Sequence, residues 1–197
     1  MSSLSAAQLT NPEEKPIKER SQKMLLWLAM ISMVMVFGAL SSAYIVKQGD
    51  GDWVVFELPA AFYYSTAVLL LSSFFISKAV TAAKNDNFSQ VKMFSIATLV
   101  AGLAFVFLQF EAWGKLVEMG VYFTGTNSSS GSYLYFLTGL HLAHLFAGII
   151  TLLVVVINSF RHKYHRDNAH GITMAATFWH FLDILWVYLF LFLLFIR

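Results

Sequence analysis

Residues 177–186 read Thr-Phe-Trp-His-Phe-Leu-Asp-Ile-Leu-Trp and lie inside the last long apolar run of the chain. That run is long enough to cross a bilayer as a helix, and an ionisable group near the bilayer centre costs several kcal/mol. The run nevertheless carries His180 and Asp183, one helical turn apart. Trp179, Asp183 and Trp186 fall on one stripe of such a helix. The stretch therefore predicts a membrane helix whose polar and indole groups face other protein segments.

The composition of the whole chain is that of an integral membrane protein. The 197 residues are 58% hydrophobic and 12% charged, whereas soluble domains are about 45–50% apolar and about 25% charged. A net charge of +2 is too small to indicate nucleic-acid binding. The absence of cysteine excludes disulfides, thiolate metal sites and cysteine nucleophiles.

Five apolar runs have the length of a spanning helix, and they cover residues 24–46, 58–80, 93–113, 133–158 and 172–196. Backbone groups in lipid must be paired within their own segment, so each run is predicted to be helical, and the alternation that a β-barrel requires is missing. The predicted fold is all-α, one bundle of five transmembrane helices over residues 24–197. Residues 1–23 are polar, and Pro12 and Pro16 discourage a helix there, so they are predicted to be a polar cytoplasmic tail.

Basic residues predict the orientation of the bundle. Ten of the 13 Lys and Arg residues lie in the N-terminal tail and around the second and fourth connections. Because cytoplasmic loops carry the excess of Lys and Arg, we expect the N-terminus inside the cell and the C-terminus outside.

Five ionisable residues inside the predicted spans need partners, and they are the candidate site: Glu111, His141, His144, His180 and Asp183. Counting about 1.5 Å per residue puts His144 and Asp183 at a similar depth, so they could meet if their helices are neighbours. Three interpretations remain open for the group. The residues could join helices by hydrogen bonds worth about 0.6–2 kcal/mol each, form a proton or ion path, or bind a metal or haem.

The residues alone favour no active site. His141 and His144 have the spacing to share a metal, but no second histidine pair at matching depth completes a coordination sphere. His162, His165 and His170 fall in a predicted cytoplasmic loop. The membrane serines lack a Gly-x-Ser-x-Gly context. Small residues recur in the spans and predict close helix packing; they include Gly38, Gly102, Gly139 and Gly148.

The last span resembles the terminal signature of subunit III of haem-copper terminal oxidases, Trp-His-Phe-x-Asp-x-x-Trp, matched here by Trp179, His180, Phe181, Asp183 and Trp186. The fourth span, from Phe136 to Gly148, is similar to the Phe-x-x-x-Gly-x-His-x-x-His-x-x-x-Gly run of that family, with one residue fewer between Phe136 and Gly139. Gln109, Glu111 and Trp113 match a third-span pattern, and Leu58-Pro59 and residues 69–73 a second-span one.

This sequence departs from the family pattern in two places. The resemblance is to the short five-helix bacterial form, without the two N-terminal helices that form one arm of a lipid-filled cleft in longer members. The first span of the family usually reads Ser-Glu, whereas Met33 follows Ser32 here, so a mechanism that depends on that glutamate is in doubt.

The resemblance implies a subunit that binds no haem or copper itself, supports subunit I beside subunit II, holds phospholipid and assists proton uptake in the bacterial inner membrane. Trp179, His180 and Asp183 are then expected to be polar anchors facing the bundle or subunit I, with Glu111, His141 and His144 as their network. The electron donor, cytochrome c or a quinol, stays open. So do an accessory subunit of a nitric oxide reductase and, in another class, a small proton-coupled transporter.

Overall fold

The computed structural model describes residues 14–49, 58–123, 129–161, 164 and 169–196, and residues 1–13 of the predicted tail, the connections at 50–57 and 124–128, and His162 and His165 lie outside that part. It contains five helices: α1 (Glu14–Gln48), α2 (Ala60–Lys84), α3 (Phe88–Glu118), α4 (Ser129–Phe160) and α5 (His170–Phe195). Each is long and apolar enough to cross a membrane. The described residues contain no strand, which confirms the all-α prediction.

The helices extend beyond the apolar runs that predicted them. α1 begins at Glu14, inside the segment expected to be a non-helical tail, so that expectation is wrong for residues 14–23. Pro16 is the third helical residue, where its missing N–H removes no hydrogen bond because the first-turn N–H groups have no helical acceptor. Hydropathy marks the hydrocarbon part of a span, and the polar turns on either side continue the helix.

α2 and α3 form a tight hairpin. Pro59 precedes the first residue of α2, and only residues 85–87 separate the two helices. Asp86 takes a left-handed backbone conformation with φ 55°, which short polar side chains tolerate best among non-glycine residues. The side chain of Asn87 then accepts a hydrogen bond from the backbone N–H of Gln90 and begins α3.

Helices α2 to α5 form a closed ring, and α1 packs outside it. α2 contacts α3, α3 contacts α4, α4 contacts α5, and α5 returns to α2. α1 makes its main contacts with α4 and α5. The predicted five-helix bundle is therefore a ring of four helices with a fifth in the seam between the last two.

A narrow stripe holds α1 in that seam. Its buried and partly buried side chains recur at alternating steps of four and three residues, namely Leu26, Met30, Met33, Phe37, Leu40 and Tyr44. This is the seven-residue spacing with which two helices interlock along one seam. The side chains between these positions, such as Trp27, Ile31 and Met35, stay exposed. α1 therefore has the least buried span of the five.

Candidate functional site

Trp179 occupies the centre of the four-helix ring. Its side chain is fully buried, and its indole N–H donates a hydrogen bond to the hydroxyl of Ser72 on α2 at 2.8 Å. The ring also lies against two glycines: a Cβ at position 102 on α3 would lie 2.8 Å from it, and one at position 148 on α4 would lie 3.2 Å from it. One side chain of α5 thus contacts the other three helices of the ring.

Trp186 repeats the arrangement two turns farther along α5. Its indole N–H donates to the hydroxyl of Thr66 at 3.0 Å, and its ring stacks on Phe62 with centroids 6.0 Å apart. Phe105 of α3 meets the same indole edge-on at 4.9 Å. The prediction that the two tryptophans of the signature face protein agrees with these contacts.

Each hydroxyl that accepts a hydrogen bond from an indole N–H also donates one to its own helix. Ser72 donates to the backbone oxygen of Leu69 at 2.7 Å, and Thr66 donates to the backbone oxygen of Phe62 at 2.7 Å. A hydroxyl has one proton and two lone pairs, so each can bond its own helix and still accept an indole N–H. The two buried indole N–H groups therefore have acceptors on α2 without using a backbone oxygen of that helix.

Sequence reasoning missed Thr66 and Ser72 as partners of the two tryptophans. Their spacing of six residues is close to the seven residues between the tryptophans, but it indicates a pairing only once α2 is known to lie beside α5. Ser65, next to Thr66, accepts a hydrogen bond from the side-chain N–H of Gln109 on α3 at 3.0 Å. The hydroxyl side of α2 thus receives donors from both neighbouring helices.

His141 is enclosed by aromatic rings. Its side chain is fully buried, and its ring centroid lies 5.1 Å from Trp186, 6.2 Å from Phe105 and 6.5 Å from Phe37. Neither ring nitrogen has a hydrogen-bond partner among the described residues. Its rings come from α1, α3 and α5, so His141 lies where the ring of four helices meets α1.

His144 faces α1 rather than α5. One ring nitrogen, Nδ1, lies 2.8 Å from the backbone oxygen of Leu140, and the ring packs on Phe37 with centroids 5.8 Å apart. No hydrogen bond or ion pair in the described part of the chain joins it to Asp183. α4 and α5 are neighbours as expected, but the two side chains are not brought together.

Asp183 points into the bundle between the two tryptophans. It is 2% exposed, and neither carboxyl oxygen has a hydrogen bond of good geometry to any described residue. The Ser73 hydroxyl lies nearby on α2, without the alignment that a hydrogen bond requires.

His180 belongs to a different side of α5. Its Nδ1 lies 2.5 Å from the Ser73 hydroxyl and its Nε2 lies 3.1 Å from the Ser77 hydroxyl, both on α2. His180 is only partly buried and Ser77 is exposed. Residues three apart on a helix differ by about 60° around its axis, which is enough to separate His180 from the inward-facing Asp183.

Glu111 is not part of the buried core. Its side chain is 44% exposed and forms an ion pair with Lys115 at 2.7 Å, one turn along α3. The residues of α3 that are buried include Phe105, Gln109 and Ala112, and Glu111 lies off that stripe. The expectation that Glu111 joins a buried network is corrected here.

The five candidates thus occupy separate environments. Phe37 packs against both His141 and His144. His180 is bonded to hydroxyls of α2, Asp183 has no hydrogen bond within the described residues, and Glu111 stands apart. Within the described residues no group of three or more His, Asp or Glu side chains is placed to hold a metal ion. What this geometry does chemically is to join helices.

Comparison with known proteins agrees with the signatures in α4 and α5. Residues 54–196 match the family described as cytochrome c oxidase subunit III. A protein of Bacillus sp. (strain PS3) named cytochrome c oxidase subunit 3 is 28% identical over 185 residues, 91% of this chain and 88% of the relative.

Two staphylococcal relatives carry a different name. A probable quinol oxidase subunit 3 of Staphylococcus saprophyticus is 27% identical over 177 residues, and its counterpart in Staphylococcus aureus (strain COL) is 28% identical over 177 residues. Each alignment covers 85% of both chains. Five apolar helices and these relatives identify a multi-pass bacterial membrane protein. The family match covers most of the chain, and the protein belongs to the cytochrome c oxidase subunit III family.

Proposed function

We propose that this chain is the non-redox subunit III of an aerobic respiratory haem-copper oxidase. Haem, copper and oxygen reduction then belong to subunits I and II, and this chain supports subunit I, holds interfacial lipid and assists proton uptake. The supporting observation is the use of Trp179 and Trp186, which bond two hydroxyls of α2 and fill the space between α3 and α4. The indole N–H groups and the imidazole of the signature are bonded to hydroxyls of α2, as a scaffold requires.

The alternative of another class, an autonomous proton-coupled transporter, has less support. A carrier needs ionisable groups linked along a path through the membrane. Here aromatic rings surround His141, and Glu111 is paired on the surface of α3. The names of the relatives refer to oxidases, which also favours an oxidase over a nitric oxide reductase.

The partner subunits would determine which electron donor the complex uses. The relatives include both cytochrome c oxidase and quinol oxidase subunits. Nothing in the packing of α2 to α5 distinguishes the two, because the donor would bind elsewhere in the complex. We therefore propose the oxidase complex and leave the donor to a direct assay.

The lipid part of the proposal has a candidate place. A groove of about 520 Å³ lies between α1 and the pair α4 and α5, lined by apolar side chains that include Leu25, Ala29, Met33 and Phe178. Such a volume suits an acyl chain, as ligand pockets span roughly 300–1,000 Å³. Met33, where the family has glutamate, lines this groove. A lipid bound there would therefore contact an apolar side chain at position 33 and not a carboxylate.

Gentle purification of the tagged chain from its own membranes tests the proposal. We expect haem-containing partner subunits to co-purify, with the visible spectrum of a haem protein and oxygen consumption driven by reduced cytochrome c or by a quinol. Comparing the two donors assigns the electron donor. A colourless chain that purifies alone and moves protons in liposomes would instead identify a transporter.

A further inference from the structure

A polar patch lies on the outward surface of the helix ring. We define the His180 patch as His180 of α5 with Ser73 and Ser77 of α2, which are joined by the two hydrogen bonds to the imidazole. Large apolar side chains flank it on each helix: Phe74 is 55% exposed and Ile184 is 69% exposed. The patch therefore lies where this chain on its own would meet lipid.

The depth of the patch places it in hydrocarbon. His180 is ten residues after the start of α5 at His170, or about 15 Å along the helix at 1.5 Å per residue. Ser73 is eleven residues before the end of α2 at Lys84, or about 16 Å from the same side. Both estimates agree with the observed contact, and both exceed the interfacial layer of a bilayer with a core of about 30 Å.

The patch retains unused hydrogen-bonding capacity. Ser77 donates its proton to the backbone oxygen of Ser73 at 3.0 Å, so its oxygen accepts from Nε2–H of His180. One lone pair of the Ser77 oxygen then remains free. In the other imidazole tautomer the Ser77 proton goes to Nε2 instead, and the oxygen still has a lone pair to offer. An exposed acceptor thus faces outward in both cases.

We propose that a transmembrane helix of a partner subunit covers the His180 patch and supplies a hydrogen-bond donor to it. This inference rests on the proposed function, since it names the docking face by which the subunit joins the oxidase. An acyl chain has no donor and would leave the free acceptor of the Ser77 hydroxyl unused and the patch facing hydrocarbon with only its internal bonds, whereas polar side chains in membranes face protein. Interhelical hydrogen bonds are the usual way such groups are satisfied.

The surface beside the patch has the shape for such a helix. A concave groove of about 500 Å³ runs between α1 and α5 next to His180, lined by Trp27, Ile31, Phe181 and Ile184 among others. A second groove of about 340 Å³ continues it toward Gly38 and Tyr188. The exposed side of α1 results from its narrow packing stripe, so the patch and the grooves form one surface that a helix about 10 Å wide can follow.

Photocrosslinking in the assembled complex tests this face. A photoreactive phenylalanine analogue is placed at Phe74, beside the patch, and at Phe107 on α3 as the matched control, which is 71% exposed. We expect the position-74 probe to crosslink to a partner subunit with at least tenfold higher yield than the position-107 probe. The proposal would be overturned if position 74 crosslinked only to lipid, or if both positions gave equal yields. In either case an intact complex would still support the proposed function.

Substitution of Ser77 gives an independent measurement. We expect Ser77→Leu to lower the retention of the partner during detergent exchange by roughly 3- to 15-fold, the range of one interhelical hydrogen bond. Thr151→Leu on α4 is the control, because the Thr151 hydroxyl is also bonded to the backbone oxygen one turn earlier but does not line the patch or its grooves. Melting of the isolated chain shows whether Ser77→Leu still folds. A folded Ser77→Leu variant with unchanged retention contradicts the proposal, and a chain without any partner contradicts both proposals.

Discussion

Trp179 and Ser72 are joined by a hydrogen bond of 2.8 Å in which the indole donates and the hydroxyl accepts. Trp186 and Thr66 repeat the pair at 3.0 Å, and seven residues of α5, about 10 Å, separate the two. A sliding movement of α5 along α2 would break both bonds at once. The pairs therefore fix how far α5 is inserted beside α2, and with it the position of Asp183 and His180.

Close approach to Trp179 should make Gly148 intolerant of a side chain. A Cβ at position 148 would lie 2.8 Å from Leu182 and 3.2 Å from the Trp179 ring, so we expect Gly148→Ala to destabilise the fold by about 1–3 kcal/mol through overpacking. Unfolding in mixed detergent measures the change. Gly38→Ala is the control, since no atom lies within 4 Å of the Cβ it adds; equal effects of both substitutions would refute the packing argument.

The bond between Trp186 and Thr66 can be isolated with a double-mutant cycle. We expect Thr66→Val and Trp186→Phe to show a coupling free energy of about 0.6–1.7 kcal/mol, as for other interhelical hydrogen bonds in membranes. Trp186→Phe also loses ring contacts, and the cycle removes that contribution from the coupling. Additive effects of the two substitutions would mean that the bond contributes nothing to stability.

Phe37 should govern the attachment of α1. It is buried against both His141 and His144, so Phe37→Ala is expected to cost about 3–5 kcal/mol and to loosen α1 from the ring. The natural chain has no cysteine, so pairs of introduced cysteines can carry spin labels that report the distance between α1 and α5. Met35→Ala serves as the control because Met35 is 71% exposed. An unchanged distance distribution in Phe37→Ala would disprove this role.

The charge of Asp183 should be dispensable for assembly. Neither carboxyl oxygen has a well-formed hydrogen bond within the described residues, and His180 keeps its bonds to Ser73 and Ser77 whatever residue 183 is. We expect Asp183→Asn, which has nearly the same shape, to change stability by less than about 1 kcal/mol and to assemble normally. Loss of the partner subunits on this substitution would show that an ionised carboxylate is required.

The burial of Tyr164, in the connection between α4 and α5, predicts that the fold loses stability at alkaline pH. Burial raises the pKa of its phenol above the usual value of about 10, against a smaller lowering by the hydrogen bond from Asn158. A raised folded-state pKa means that the stabilisation is complete below pH about 10 and is lost as pH rises through the folded-state pKa. Tyr164→Phe should flatten the stability profile above pH about 10, and an unchanged profile would argue against burial of this phenol.

The spans were predictable because hydropathy depends on local composition alone. The helix ends were not, since polar turns that leave the hydrocarbon remain helical, as Glu14 and the short turn at residues 85–87 show. Close packing was expected at four glycines and is present at Gly102 and Gly148, whereas Gly38 has no neighbour near its Cβ position. Small residues permit an approach, but the partner helix decides whether it occurs.

The shared stripe of the two tryptophans predicted that both face the bundle, but it did not predict which residues they bond to. Nothing in a single sequence says that α5 lies beside α2, so Ser72 and Thr66 could not be chosen among the many membrane hydroxyls. The exposure of Glu111 is explained by helix geometry, because residues 105, 109 and 112 define the buried stripe of α3 and position 111 falls outside it. The outward position of His180 likewise depends on which side of α5 the other helices occupy.

The contacts of α1 have a consequence for biogenesis. α1 precedes α2 to α5 in the chain, yet its main neighbours in the native structure are α4 and α5. α2 and α3 follow each other directly and can pair as soon as both are made, whereas α1 lacks its native neighbours in the bilayer until α4 and α5 have been made. A chain stalled before α4 would therefore hold α1 without either of its main native contacts.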